Sequence, residues 1–118
     1  MSAPLKKLLT DLTRLDGVKG ALVVSKDGMV LDAVVPAKDI DAEDLGASVT
    51  QAVAVAEKIG GSFDLGNLSM FSVEYDDGMI VIGDLGDNFV MVIADKNAMV
   101  GMLRNEIRKM KGKIKALV

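Results

Sequence analysis

Apolar residues recur at helical spacing in three parts of the chain. Leucines at positions 5, 8, 9, 12 and 15 predict a first helix over about residues 4–14. A second helix is predicted over about 42–59, since Asp41 is a candidate N-cap and Gly60-Gly61 follows. Asp95 is a candidate cap for a third helix. Its predicted core stripe is Met99, Leu103, Ile107, Met110 and Ile114.

Five apolar runs between these helices predict strands. They cover residues 21–25, 29–35, 68–75, 79–82 and 89–93. Asp27-Gly28, between the first two runs, is typical of a hairpin turn. Asp76-Asp77-Gly78 and Gly86-Asp87-Asn88 separate the last three runs, which therefore predict a meander. The predicted element order is α-β-β-α-β-β-β-α.

Several of these strands are apolar at every position, so both faces of the sheet must be covered. Three helices can cover them if one lies on one face and two lie on the other. This arrangement is a three-layer α/β/α sandwich of the α/β (α+β) class. No linker, repeat or low-complexity stretch divides the chain, so residues 1–118 are predicted to form one domain.

The predicted second helix has unusually small, weakly charged side chains outside its core stripe. We assign the core stripe to Leu45, Val49, Ala52, Ala56 and Ile59. The outer faces then carry Gly46, Ala47, Thr50, Val53, Ala54 and Glu57. Small residues allow another helix to approach closely, so these faces are candidates for contact with a second molecule.

Composition disfavours an enzyme. The chain has no cysteine and no histidine, and only 3% of its residues are aromatic. Thiolate nucleophiles, disulfides and zinc sites of the Cys/His type are excluded, and the usual proton shuttle at neutral pH is missing. Four aspartates could suggest a cation site, but they lack the spacing of a calcium loop and fit turn positions better. They are Asp76, Asp77, Asp84 and Asp87. We predict no catalytic residue, metal or cofactor.

Charge is distributed unevenly along the chain. Residues 104–118 hold six Lys or Arg and one acid, so the rest of the chain carries −8 within a net charge of −3. An acidic body disfavours binding to nucleic acid. The basic face of the last helix either stays solvated or binds an acidic partner or anionic lipid. The sequence shows no leader peptide or membrane-spanning run, so we expect a cytoplasmic protein.

Three sequence segments resemble the Roadblock/dynein light chain family. They are Leu-Thr-Arg-Leu-Asp-Gly-Val-Lys-Gly-Ala-Leu-Val-Val at 12–24, Asp27-Gly28, and Gly-Asp-Leu-Gly-Asp at 83–87. The resemblance implies a five-stranded antiparallel sheet of order 2-1-5-4-3 and dimers joined along the third strand and second helix. It also implies regulation of small GTPases or assembly of dynein and signalling complexes. The chain looks most like the prokaryotic single-domain members that act as partners of Ras-like GTPases, among them the gliding-motility polarity regulator.

An exposed third strand would also favour a homodimer on physical grounds, because it is apolar on both faces and has no Pro or Lys to discourage pairing. Packing within one chain is the alternative. We expect the dimer interface to include Gly46, Thr50, Val53, Glu57, Leu68, Met70, Phe71, Ser72 and Val73. If a partner docks on the second helix, as the resemblance suggests, it would contact Ala47, Thr50, Gln51, Ala54 and Lys58.

The sequence therefore predicts a homodimeric, non-catalytic platform that binds and regulates a small Ras-like GTPase. Two other function classes stay open. A ligand-sensing domain would need a roomy apolar pocket, which close aliphatic packing disfavours. A complex-assembly adaptor would have the same fold and the same dimer but no GTPase partner.

Overall fold

The computed structural model describes residues 3–36 and 40–118 of the chain. The elements follow the predicted order: α1 (Ala3–Thr13), β1 (Val18–Ser25), β2 (Val30–Val34), α2 (Ala42–Ser62), β3 (Met70–Tyr75), β4 (Gly78–Asp84), β5 (Asn88–Asp95) and α3 (Val100–Lys115). The strands form one antiparallel sheet of order β2-β1-β5-β4-β3. This confirms the predicted fold class and strand order.

Each face of the sheet has its own apolar core. Leucines of α1 and the Leu103, Ile107 and Ile114 side chains of α3 pack on one face, against residues such as Val23 and Val92. On the opposite face α2 packs against Leu22, Phe89 and Met91. The two-and-one distribution of helices is therefore as predicted, and β3 is an edge strand of the sheet.

The Asp16-Gly17 turn explains one of the segments that carry the family resemblance. Gly17 has a positive φ of 82°, and a Cβ there would lie 2.7 Å from the Cβ of Ala98. Its carbonyl accepts a hydrogen bond of 2.8 Å from the backbone N–H of Asp95. A side chain at position 17 would therefore be strained and would also collide with the turn that precedes α3.

Both glycines at the predicted end of α2 lie inside the helix. The helix continues through Gly60-Gly61 to Ser62, and the N–H of Phe63 donates a 3.2 Å hydrogen bond to the carbonyl of Ile59. The backbone first turns left-handed at Asp64, where φ is 55°. The prediction that the glycine pair stops the helix is wrong, because a mid-helix glycine weakens a helix without forcing its end.

The start of α3 also differs from the prediction. Asp95 Oδ1 accepts a 2.8 Å hydrogen bond from the N–H of Asn97 and so stabilises the preceding turn instead of capping the helix. The N-cap position is Met99, which makes no side-chain capping hydrogen bond. Met99 is 69% exposed and does not belong to the core stripe.

The largest correction concerns which side of α2 faces its own sheet. The buried residues of the helix are Gly46, Val49 and Val53. A Cβ at Gly46 would lie 3.1 Å from Val30 Cγ2, so the glycine lets the helix approach the sheet closely. Of the predicted core stripe only Val49 is buried, whereas Ile59 is 51% exposed.

Candidate interaction surfaces

An uncovered apolar groove lies beside α2. The helix covers the β1 side of the sheet, and the sheet residues on this face become progressively more exposed toward β3. Leu22 of β1 and Met91 of β5 are buried, whereas Tyr75 of β3 is 62% exposed. We call this the open groove. Its walls are Leu45, Ser48, Val49 and Ala52 of α2 and Phe71, Val73, Tyr75, Ile80 and Ile82 of the sheet.

The open groove is apolar and continuous along α2. Its central cavity has a volume of about 240 Å³. A second cavity of about 320 Å³ extends it past Ile40 and the first turn of the helix to Ile93. No hydrogen bond or ion pair crosses the central part between the described side chains. The groove therefore presents apolar surface that the described residues leave to solvent, next to the edge of β3.

The side of α2 turned away from the open groove is a separate surface. Ala47, Gln51, Ala54 and Lys58 recur there at helical spacing, and all four are exposed. We call these four residues the outer face of α2. Thr50, predicted with them, is half-buried; its Oγ1 donates a 2.7 Å hydrogen bond to the carbonyl of Gly46. The structure thus brings four of the five predicted partner-binding residues together on exposed surface.

The α2 residues predicted for the dimer interface do not line the open groove. Gly46 and Val53 are buried against this chain's own sheet, so their predicted position on an outer face is wrong. The reason is that α2 has two neighbouring stripes of small apolar residues, and only packing decides which one meets the sheet. The stripe predicted as core, with Ala52, Ala56 and Ile59, instead borders the open groove and the cleft near its end.

The strand residues predicted for that interface divide between the two faces of β3. Phe71 and Val73 line the open groove. Met70 packs on the α1/α3 side, while Ser72 is exposed. Leu68 precedes the strand and packs partly on the α2 side. Their participation in a dimer stays a prediction.

A charged cluster ties α2 to the ends of β1 and β4. Lys26 Nζ lies 2.7 Å from Glu57 Oε2 and 2.6 Å from Asp84 Oδ1. Burial alone would lower the pKa of Lys26, but its hydrogen bonds and ion pairs with Asp84 and Glu57 outweigh burial and raise it. Lys26 therefore stays charged at neutral pH. Glu57 contributes to this intrachain cluster, and its participation in a dimer interface stays a prediction.

A cleft with two arginines lies at the beginning of β3. Arg104 and Arg108 of α3 form one wall, and Asn67, Ser69 and Met70 lie along another in a cavity of about 360 Å³. We call this the arginine cleft. Lys111 Nζ donates a 2.8 Å hydrogen bond to the carbonyl of Ser69 and so holds α3 against this segment. Burial lowers the pKa of Lys111; the charge of Asp84 opposes this shift, and Arg108 adds to it.

The described residues offer no constellation for metal chemistry. Within 3–36 and 40–118, Asp and Glu side chains nowhere gather in threes around a possible ion. Asp84 Oδ2 accepts a 3.0 Å hydrogen bond from the N–H of Gly86, which confirms its predicted turn role. None of the helices in the same ranges is long and apolar enough to cross a membrane.

Sequence reasoning missed the open groove and the Lys26 cluster. Two signals pointed to the groove: α2 is apolar over more than one stripe, and Ile80 and Ile93 add large side chains to a face that one helix covers incompletely. The Lys26 cluster had no signal in the sequence, because its members are 27 to 58 positions apart and meet only through the sheet.

Comparison with known proteins places this architecture in a family. The Roadblock/LC7 domain profile matches residues 4–95. An uncharacterised protein of Methanocaldococcus jannaschii is 33% identical over 111 residues, covering 94% of this chain and 93% of that protein. A second uncharacterised protein of the same organism is 31% identical over 111 residues, covering 94% and 96% of the two chains.

Solved structures share the fold at lower identity. Myxococcus xanthus MglB superposes with a TM-score of 0.89 at 17% identity, covering 98% of this chain and 94% of that one. A Roadblock/LC7 domain from Streptomyces avermitilis superposes with a TM-score of 0.83 at 21% identity, covering 94% of each chain. These structures share the fold, and the profile match over residues 4–95 shows that the chain belongs to the Roadblock/LC7 family.

Proposed function

We propose that this protein is a homodimeric, non-catalytic platform that binds and regulates a small Ras-like GTPase in the cytoplasm. The observation that carries the proposal is the open groove beside an unpaired edge strand, in a chain of the Roadblock/LC7 family. GTPase regulation is what resemblance to the family's prokaryotic single-domain members implies. The likeness to MglB supports the fold on which that role depends.

A second copy of the chain fits the open groove. Pairing of β3 with its own copy would satisfy the backbone groups of both edges and make a closed two-fold interface. The same operation would bring the partner's α2 toward the uncovered sheet face. Ala52, which is exposed at the rim of the groove, leaves room for such an approach.

The outer face of α2 is the surface that we propose for the GTPase. It lies on the side of the helix away from the groove, so it stays accessible when the groove is filled. Its side chains are small or flexible and include one cation, Lys58. Regulation would then act by positioning the residues of the GTPase, since Lys58 is the only titratable side chain among the four residues of this face.

Two matched variants separate the dimer from the GTPase surface. Ala52→Arg places a charge in the open groove, and Ala54→Arg places the same charge on the outer face two residues later. Light scattering across micromolar concentrations should report a dimer for the wild type and Ala54→Arg, and a monomer for Ala52→Arg. A wild-type monomer throughout that range would contradict the dimer.

GTPase binding is tested with purified Ras-like GTPases from the source genome, each loaded with GDP or a non-hydrolysable GTP analogue. We expect one of them to bind the wild type in a nucleotide-dependent manner, measured by calorimetry. Ala47→Arg and Ala54→Arg should weaken this binding while the dimer stays intact. Unaltered affinity would refute the outer face as the docking site. If none of the GTPases binds an intact dimer, the adaptor alternative replaces regulation.

A further inference from the structure

The arginine cleft lies beside the exposed edge of β3 and contains two guanidinium groups. Within residues 3–36 and 40–118, neither Arg104 nor Arg108 forms an ion pair or a side-chain hydrogen bond. Both are exposed. Lys111 follows at the next turn of α3, so this side of the helix concentrates positive charge at the beginning of β3.

The other end of β3 is acidic. Glu74 lies near the end of the strand, and Asp76 and Asp77 follow it in the turn to β4. All three are exposed, and no ion pair involves them within the described ranges. The strand therefore carries unpaired negative charge at one end and lies beside unpaired positive charge at the other.

Alternation along β3 determines which side chains share a face with the arginines. Met70 packs on the α1/α3 side, whereas Phe71 packs on the α2 side. Because successive strand residues point to opposite faces, Ser72 and Glu74 share the α1/α3 side with Met70. Arg104 and Arg108 extend from α3 on that same side. Glu74 is thus on the correct face to meet the arginines of a second copy.

Two-fold pairing of β3 with its copy permits only certain registers. Directly opposed residues of an antiparallel pair point to the same face, as Phe71 and Ile82 do here. A residue of β3 must therefore oppose one separated from it by an even number of positions. The two registers nearest the middle of Met70–Tyr75 centre on Ser72 or on Val73. Met70 then lies opposite the copy's Glu74 in the first register and the copy's Asp76 in the second.

Both registers therefore place an acid of the copy across from Met70, which lines the arginine cleft. We propose that Arg104 and Arg108 of each subunit form ion pairs with two acids of the other subunit, Glu74 near the end of β3 and Asp76 directly after the strand. This inference rests on the proposed homodimer and adds to it the contacts that fix orientation and register. The two-fold axis makes each contact twice, once at either end of the paired strands.

Charge reversal tests the proposal. Arg104→Glu/Arg108→Glu makes both contact sites of its homodimer acidic, and Glu74→Arg/Asp76→Arg makes both sites of its own homodimer basic. The dissociation constant of each homodimer should be at least about tenfold higher than that of the wild type, since like charges replace the ion pairs at both sites. An equimolar mixture of the two variants should restore the dimer, because both sites then join opposite charges.

The species are counted by native mass spectrometry after mixing. Random pairing of the two variants would make one half of all dimers mixed. We expect the share of mixed dimers to be greater than that. Lys109→Glu/Lys113→Glu, the same charge change on another side of α3, is the matched control and should dimerise like the wild type. Circular dichroism verifies that each variant is folded.

The outcomes distinguish this inference from the proposed function. A wild-type monomer would overturn the dimer and the ion pairs with it. A wild-type dimer whose reversed variants pair at random and with wild-type affinity would overturn the ion pairs alone. A cleft that binds free phosphate in the wild-type dimer as well as in the monomeric variant Ala52→Arg would also overturn them, because the guanidinium groups would then not be engaged by the second subunit.

Discussion

Gly83 of β4 lies directly beneath Ile107 of α3: a Cβ at position 83 would be 2.5 Å from Ile107 Cγ2. Val90 Cγ1 would be 3.3 Å away, so the added methyl group has no free space. We expect Gly83→Ala to lower the free energy of unfolding by about 1–3 kcal/mol, the usual cost of overpacking a core. Denaturation in urea measures this difference.

Gly112→Ala is the control for that substitution. Gly112 lies in α3, where a methyl group added at the Cβ position would have nothing within 4 Å. Alanine favours the helix by about 1 kcal/mol over glycine, so this variant should be at least as stable as the wild type. Equal stability of Gly83→Ala and Gly112→Ala would contradict close packing between α3 and β4.

Removal of Lys26 should leave two carboxylates without their cation. Asp84 is the more buried of them, with 17% of its side chain exposed against 39% for Glu57. Lys26→Met is therefore expected to cost about 1–3 kcal/mol in the free energy of unfolding. Glu57→Gln should cost less than about 1 kcal/mol, since its ion pair is the more exposed. A greater loss for Glu57→Gln in urea denaturation would reverse this ranking.

Asp32 should make stability depend on acidic pH. Burial alone would raise its pKa, but hydrogen bonds from Lys6 and from the N–H of Ala33, together with the charge of Lys6, lower it below its ordinary 3.8. The stabilisation is therefore fully present above that ordinary value and is lost as the pH falls through the lower pKa of the folded state. Asp32→Asn should be about 1 kcal/mol less stable than the wild type at pH 7.

The difference between the wild type and Asp32→Asn should shrink below pH 3.8. Lys6→Met removes the same ion pair, 2.8 Å long, from the side of α1 and should reproduce both effects. Urea denaturation at a series of pH values measures the two variants. A constant difference between wild type and Asp32→Asn from neutral to strongly acidic pH would contradict the assignment.

The proposed dimerisation through the open groove would make thermal stability depend on protein concentration. A second copy that binds only the folded chain stabilises it by mass action. The Tm of the wild type should therefore rise with protein concentration, whereas the Tm of Ala52→Arg should not. Differential scanning calorimetry over a hundredfold dilution series compares the two, and a wild-type Tm independent of concentration would speak against the groove as the dimer contact.

The sequence predicts the architecture well because its signals are local. Asp-Gly and Gly-containing turns separate the strands, and the Leu103–Ile107–Ile114 stripe of α3 lies in the core as expected. The exact ends of elements are less predictable. The carboxylate of Asp95 could accept a hydrogen bond from a backbone N–H at the helix N-terminus or in the turn before it. Only the three-dimensional path of the chain selects the turn.

The interaction surfaces are harder to predict than the fold. Neighbouring stripes of α2 are both small and apolar, so periodicity alone does not reveal which of Ala52 and Val53 faces the sheet. The close approach of α2 to the sheet at Gly46, next to Val30, decides which stripe faces the sheet. Val30 is distant from Gly46 in the sequence, so periodicity within the helix does not reveal this contact. Four of the five residues predicted to bind a partner were predictable as exposed, because small, polar or charged residues mark that side of the helix.

α2 is one rigid element with three neighbours: its own sheet, the open groove and the solvent at its outer face. A small rotation of the helix about its axis would move Ala52 and Ala54 together, in opposite directions relative to the sheet. If occupancy of the groove selects one helix orientation, a partner that prefers either orientation will bind the outer face with changed affinity. Thermodynamic linkage makes that coupling reciprocal, so a partner bound at Ala54 would tighten or loosen the dimer by the same factor.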